Sequence, residues 1–478
     1  MCFRRRASGR EVRSAAIASV PRLGSLLLVW LAATTTTPFP FLLGLAYADV
    51  ATGSPEKAKS YYISLAKALD FSSPEEIVAT TLEDVTAYLG YSGVTGKDLQ
   101  DVLPERLSSF TSVIEACPPE RAPCSGLLEH PNAVLAAAGS VPFRPDDILA
   151  TRFFAPKIMN VNEPEATRKV GWRKLVRLRA RDGSAASAHH ISAGIVLFNF
   201  FTDPGIAPFG PEAESVNTQV MLITDPSTVP LPGKEGPATL YWLDYDRLSK
   251  GGKLSLALEA SFDATELQRE KNGVQPYFVP DGCNACHGIN QRRALVNYLD
   301  TDHWFDRLDN DFPDLKARGF PLLVDAGTND ISAASYKVAF DVIRRFNEEA
   351  DQQARRAQPK HDEVLAAEQW LTLHAKSNDH ITPADRAIGA HPRWSPNSRT
   401  DAEALTTLNQ YCFRCHGTIK FSVFNKAVVL RNATLIRASI DPTSALRTNP
   451  AFRKMPPDRD LLSDARNRIL KVLPGGAQ

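Results

Sequence analysis

Residues 283–287 read Cys283-Asn-Ala-Cys286-His287, and residues 412–416 read Cys412-Phe-Arg-Cys415-His416. Both stretches have the pattern Cys-x-x-Cys-His. The whole chain of 478 residues contains only seven Cys and ten His. At these frequencies, chance would produce about 0.002 copies of the pattern. The doubled motif is therefore the feature from which the rest of the chain is interpreted.

The spacing of this motif suits one specific chemistry. Two thiols three positions apart can add to the two vinyl groups on one edge of a haem, and the adjacent His then lies beneath the iron. A thioredoxin-type redox pair and half of a zinc site are the alternative uses of Cys-x-x-Cys. The immediate His in both copies, and the lack of another Cys pair at zinc-finger spacing, disfavour them. We expect two covalently bound haem c groups, attached at Cys283, Cys286, Cys412 and Cys415, with His287 and His416 as iron ligands.

The N-terminal segment has the features of an export signal. Arg4, Arg5 and Arg6 precede an apolar run, Leu23–Ala33, and the segment closes with Ala46-Tyr47-Ala48. A basic start, an apolar core and a small-x-small end are typical of a cleaved signal peptide. The alternative is an uncleaved anchor, but the apolar run falls short of the ~20 residues that a spanning helix needs. We expect residues 1–48 to be a signal peptide, and the mature chain to be periplasmic with no stable membrane span.

Composition and charge narrow the function classes. With 43% hydrophobic and 23% charged residues, the chain is not collagen, a coiled coil or a membrane transporter. A formal net charge of +1 excludes a strongly polycationic nucleic-acid binder. Residues 400–478 carry a net charge of +6, whereas residues 49–399 carry −10. This asymmetry favours docking between the two parts or an acidic redox partner, although an uneven solvated surface would look the same.

The C-terminal motif lies in a familiar order of elements. Residues 401–411 predict an amphipathic helix before the motif, and residues 464–473 predict another at the end of the chain. Between them, Met455 is followed by two Pro residues. This order resembles class I cytochrome c over about 75 residues. The resemblance implies that residues 400–478 have that fold and that Met455 sulfur is the sixth iron ligand, which raises the reduction potential.

The first motif departs from that pattern, because no Met occurs between residues 222 and 454. His303, 16 residues past His287, is the candidate sixth ligand or distal-pocket residue of the first haem. A lone His is more often a structural or surface residue. The remaining candidates are His361, His374, His380 and His391 downstream, and His130, His189, His190, Met159 and Met221 upstream.

The order of the two sites is weakly similar to that of bacterial dihaem cytochrome c peroxidases. In that family an N-terminal haem does the peroxide chemistry and a C-terminal His/Met haem supplies electrons. Three functions follow as expectations. The preferred one is an exported dihaem cytochrome that passes single electrons between periplasmic partners. The second is a peroxidase- or oxidase-type enzyme with chemistry at the first haem, and the third is a haem-bearing sensor or dehydrogenase subunit.

The remaining sequence predicts a multidomain α+β protein. We expect a helical region at 49–145, a β-rich module at 146–262, a first haem-binding region at 263–399 and the cytochrome-like domain at 400–478. Helices are predicted over 55–71, 73–89, 258–271, 334–356 and 362–374, and strands over 174–179, 191–201, 218–224 and 238–243. Residues 300–314 are acidic but lack the pattern of an EF-hand loop, so a solvated turn is expected there. Cys117 and Cys124 are expected to form a disulfide.

Overall fold

The computed structural model describes most of the chain beyond residue 52. The described ranges are 53–70, 76–101, 147–155, 170–202, 215–224, 240–246, 252–256, 278–287, 295–317, 323–324, 333–357, 362–375, 378–381, 394, 398–413, 422–444 and 460–474. All of them belong to one unit, residues 48–478. The expected signal peptide, the Cys117–Cys124 disulfide and the helix predicted at 258–271 lie outside the described residues.

A six-stranded antiparallel sheet forms the centre of the described structure. The strands follow the order β5-β4-β3-β2-β1-β6. Their bounds are β1 Ile148–Phe154, β2 Val170–Arg179, β3 Ile191–Thr202, β4 Asn217–Thr224, β5 Leu240–Tyr245 and β6 Leu323–Val324. The predicted strands of the β-rich module are confirmed as β2 to β5, whereas β1 and the two-residue strand β6 were not predicted.

Thirteen helices are described around the sheet. In chain order they are α1 Pro55–Leu69, α2 Leu82–Tyr88, α3 Gly96–Asp101, α4 Ala185–Ala188, α5 Asp281–His287, α6 Thr301–Asp311, α7 Pro313–Ala317, α8 Ala333–Ala357, α9 Asp362–Leu373, α10 Arg399–Tyr411, α11 Lys426–Arg431, α12 Ala433–Ile440 and α13 Ser463–Val472. The helices predicted at 334–356, 362–374, 401–411 and 464–473 are confirmed within two residues. The structure is therefore a mixed α and β fold, as expected. The expected domain boundaries stay predictions.

The two faces of the sheet have different neighbours. Alternate residues of a strand point to opposite faces, so Trp242 and Asp244 share one face of β5. We call this side the motif face. Phe153, on the same face, stacks on Trp304 of α6, with ring centroids 4.4 Å apart. Arg177, also on this face, forms an ion pair with Glu349 of α8 at 2.7 Å. Helices from residues 278–357 therefore cover the motif face.

The opposite face packs against the N-terminal helices. Gly194 lies so close to Leu89, just after α2, that a Cβ atom there would approach the Leu89 side chain to 2.6 Å. Lys174, fully buried on this face, donates its ammonium group to the Gln100 carbonyl in α3. The fold thus has three layers, with the sheet between an N-terminal helical layer and the helices that follow the first motif.

Two predicted segments differ in the structure. Within the described residues 76–89 of the helix predicted over 73–89, a 3-10 turn at Ile77–Ala79 precedes α2, and α2 begins after Thr81 because Thr81 and Asp84 form a reciprocal capping box there. The solvated turn predicted at 300–314 was wrong. This segment contains α6, and its carboxylates at Asp302 and Asp306 are buried against other parts of the chain.

The C-terminal region is held together by helix packing and a cap. Helices α10 and α13 pack against each other. Arg437 of α12 donates to the carbonyl oxygens of Leu470 and Leu473 at 3.2 and 2.7 Å, at the end of α13. These carbonyls have no partner inside their helix, so the guanidinium satisfies them.

Among the described helices, none is both long and apolar enough to cross a bilayer.

Candidate functional site

The first Cys-x-x-Cys-His motif lies on a short helix. Helix α5 spans Asp281–His287 and begins with an acidic residue, which suits the helix dipole. Cys283 precedes Cys286 by three residues and His287 by four, so the helix turn brings all three positions to one face. This is the arrangement that attachment to one haem edge requires. The Cys286 side chain lies outside the described residues.

The His287 imidazole is oriented by a backbone carbonyl. Its Nδ1 lies 2.9 Å from the Leu295 oxygen. A carbonyl can only accept a hydrogen bond, so Nδ1 carries a proton here, and in the neutral ring Nε2 then keeps its lone pair. Metal-bound His residues typically donate their second ring N–H to a carbonyl in this way, which fixes the ring and raises its basicity. The residues present therefore fit an iron bound at Nε2.

Trp242 of β5 packs directly on this histidine. The two ring centroids are 4.7 Å apart at an interplanar angle of 59°. The indole N–H donates to Asn284 Oδ1 at 3.2 Å, and Asn284 is itself inside the motif. The backbone N–H of Trp242 donates to the Tyr61 hydroxyl at 2.7 Å. The β-rich module thus supplies one wall of the first motif. The sequence left two roles open for this module, a docking platform or the pocket of the first motif, and it did not single out Trp242, because strand alternation does not show which helix covers a side chain.

Two tyrosines of α1 complete this wall. Burial raises the pKa of Tyr61 and of Tyr62, and the nearby Cys283 acts in the same direction on both. Tyr62 donates its hydroxyl to the Ser255 carbonyl at 2.8 Å and accepts the Asp244 N–H at 3.3 Å. Helix α1, strand β5 and the motif helix α5 therefore meet at one buried place.

The second motif begins at the end of α10. Cys412 caps this helix, and its N–H donates to the Leu408 carbonyl at 2.8 Å. Burial raises the pKa of the Cys412 thiol to about 12. An unmodified thiol would thus be protonated and a poor nucleophile, which disfavours a thioredoxin-type role. Cys415, His416 and Met455 lie outside the described residues, so their roles stay predictions.

His303 lies on α6 beside the second motif. It is buried, and its ring centroid is 6.4 Å from that of Tyr411, the residue directly before Cys412. Tyr411 in turn donates its hydroxyl to Asp311 at 2.7 Å, and the Arg307 guanidinium lies over its ring at 5.0 Å. His303 as a ligand of the first iron stays a prediction.

The other described His and Met residues that the sequence suggested as iron ligands contact other parts of the chain. His374 contacts Asp302 at 2.9 Å, and His380 contacts Asp306 at 3.0 Å. His189 Nδ1 lies 2.9 Å from the Ala185 carbonyl, and His190 has a φ of 59° at the start of β3. Met221 is paired across strands with Trp242, on the motif face. His130, His361, His391 and Met159 lie outside the described residues.

The described part of the chain contains no group of three or more His, Cys, Asp or Glu residues placed to hold a metal ion. In comparisons with known proteins, no family model, no curated protein and no solved structure matches the chain. The candidate site therefore depends on the two motifs and on the geometry around His287 and Cys412.

Proposed function

We propose that the chain is an exported dihaem c-type cytochrome that passes single electrons between periplasmic redox partners. The observation that carries the proposal is the His287 Nδ1 to Leu295 carbonyl hydrogen bond within a Cys-x-x-Cys-His helix. A redox dithiol would not need an oriented His, and a zinc site would need further ligands, whereas the described residues contain no group of three or more His, Cys, Asp or Glu placed to hold a metal ion. A haem iron does need the His to be held with Nε2 available.

When bound, each haem would supply an iron that changes by one electron. The residues of this chain would hold and orient it. Cys283 and Cys286 would attach the first haem, Leu295 would fix the His287 ring through Nδ1, and Trp242 would limit rotation of that ring by packing against it at a tilt. Because the ligand is fixed beforehand, little rearrangement would accompany a change of oxidation state.

The C-terminal region supports a second, distinct site. Helix α10 leads into Cys412 and packs on the final helix α13, which is the order of helices in a class I cytochrome c. We propose that residues 400–478 have this fold, with Cys415 as the second thioether, His416 beneath the iron and Met455 sulfur as the sixth ligand. The net charge of +6 on this region would favour docking on an acidic partner.

Direct contacts join the two motif regions. Gln410 of α10 donates its side-chain amide to Asp306 of α6, and Tyr411 donates to Asp311 of the same helix. Helix α6 follows the segment whose Leu295 carbonyl holds His287. Helix α6 therefore contacts the helix that leads into the second motif, and this supports a short path for electron transfer between the two proposed haems.

The optical and paramagnetic-resonance spectra of the oxidised protein test this function. We expect two low-spin irons, a far-red sulfur-to-iron band from Met455, and no turnover with peroxide. A high-spin signal that disappears on adding cyanide, together with peroxide turnover, would contradict electron transfer as the sole function and favour the enzyme alternative.

The variant His303→Ala tests whether His303 is the sixth ligand of the first iron. A changed spectrum is expected if His303 binds that iron, and an unchanged spectrum eliminates it.

A further inference from the structure

A chain of buried polar side chains crosses the motif face of the sheet. Arg173 of β2 donates its Nε–H to Asn199 Oδ1 of β3 at 2.7 Å. Asn199 donates its amide to Asn217 Oδ1 of β4 at 2.7 Å, and Asn217 donates to Asp244 Oδ1 of β5 at 3.0 Å. Each amide oxygen accepts from one neighbour while its nitrogen donates to the next. We call these four side chains the polar ladder. Its hydrogen bonds run in one direction, from the Arg173 guanidinium to the Asp244 carboxylate.

The carboxylate end of the ladder is deeply buried. Asp244 is 1% exposed, and the two Asn residues are fully buried. Burial by itself disfavours a charged carboxylate, whereas the amide N–H that Asn217 donates to Asp244 Oδ1 favours the ionised form. The cation of the ladder, Arg173, is at the opposite end. Three strand spacings separate them, or roughly 14 Å. The negative charge of the ladder is thus concentrated at the β5 edge.

This edge is the one that contacts the first motif. Trp242, two residues from Asp244 and on the same face, packs on His287. The Tyr62 hydroxyl accepts the Asp244 N–H, and the charges of both Asp244 and Cys283 raise the pKa of that phenol in addition to its burial. The buried Tyr62 side chain therefore lies close to both Asp244 and Cys283, the Cys to which the haem would be attached.

A buried anion beside a haem has a defined electrostatic effect. Reduction adds an electron to the iron, and a nearby negative charge disfavours that addition. The interaction is strong where water is excluded, because the effective dielectric constant is lower there. The same negative charge stabilises the oxidised iron.

Building on the proposed function, we propose that the Asp244 carboxylate lowers the reduction potential of the haem attached at Cys283 and Cys286. Asn199 and Asn217 are its positioning residues, since they hold the carboxylate at the motif edge and tie it to Arg173 on the far strand. The β-rich module thereby makes the two haems unequal, and electrons pass from the first haem towards the second.

The test is a spectroelectrochemical titration of the full-length, haem-loaded protein. Asp244→Asn removes the charge while keeping the shape and an acceptor oxygen. We expect one of the two reduction potentials to shift upward and the other to stay unchanged. Gln219→Lys is the second variant, because Gln219 is half-buried and directly opposite Asp244 across the strands. A lysine there places a compensating positive charge beside the carboxylate, so it should also shift the same potential upward.

The outcomes separate this inference from the proposed function. If Asp244→Asn keeps two covalent haems and both potentials are unchanged, the inference is wrong while the cytochrome function stands. If Asp244→Asn does not fold, Gln219→Lys decides alone, and an unchanged or lowered potential would overturn the inference. A chain that carries no covalent haem would instead refute the proposed function.

Discussion

Replacing Cys412 and Cys415 together with Ala is expected to remove one of the two covalently bound haems and leave the other in place. Each motif attaches its own haem through two thioethers, so the loss at one motif does not affect the chemistry at the other. The exported protein should show half the wild-type haem absorbance per chain. It should also show one reduction step in place of two.

The matched variant is Cys283→Ala with Cys286→Ala. It should also lose half of the haem absorbance, but it should keep the far-red band that we assign to Met455. The Cys412 and Cys415 variant should lose that band. If either double variant keeps the full haem absorbance, the assignment of that motif is contradicted.

Asp302→Ala is expected to lower the free energy of unfolding by about 3–5 kcal/mol. The Asp302 carboxylate contacts His374 Nε2 at 2.9 Å and accepts the Ile381 N–H at 2.8 Å. Both Asp302 and His374 are 0% exposed. The substitution would remove these contacts where no bulk water can replace them, and it would leave a small cavity. Denaturant unfolding of the haem-loaded protein measures the loss.

Two controls separate the loss of this contact from the general effect of replacing an Asp in this part of the chain. Asp302→Asn keeps an oxygen for the Ile381 N–H, so its cost should be clearly smaller than that of the Ala variant. Asp314→Ala, at an exposed position of α7, should change the free energy of unfolding by less than about 1 kcal/mol. A loss at Asp302→Ala no larger than the loss at Asp314→Ala would show that the buried pair does not stabilise the fold.

The sequence predicted elements whose signal is local. The strands of the β-rich module have apolar, β-branched and aromatic residues between turn signals, and helices α8, α10 and α13 have clear apolar periodicity. The two Cys-x-x-Cys-His motifs are equally local, because the chemistry needs only five consecutive residues. These predictions did not depend on distant contacts.

The missed features depend on partners far away in the chain. Asp302 and Asp306 were expected in solvent because an acidic run usually is solvated. Their partners His374 and His380 follow more than 70 residues later. Likewise, Trp242 is 45 residues before the His287 that it contacts. Burial of a polar or aromatic side chain by a distant element has no signature in the neighbouring sequence.

The proposed function depends on two haems being bound covalently to the chain. The most direct test is the intact mass of the purified, exported protein, measured before and after acid-acetone extraction. We predict the mass of the mature polypeptide plus two haem groups, unchanged by the extraction. A mass equal to that of the bare polypeptide, or pigment that passes into the acetone, would contradict the proposed function.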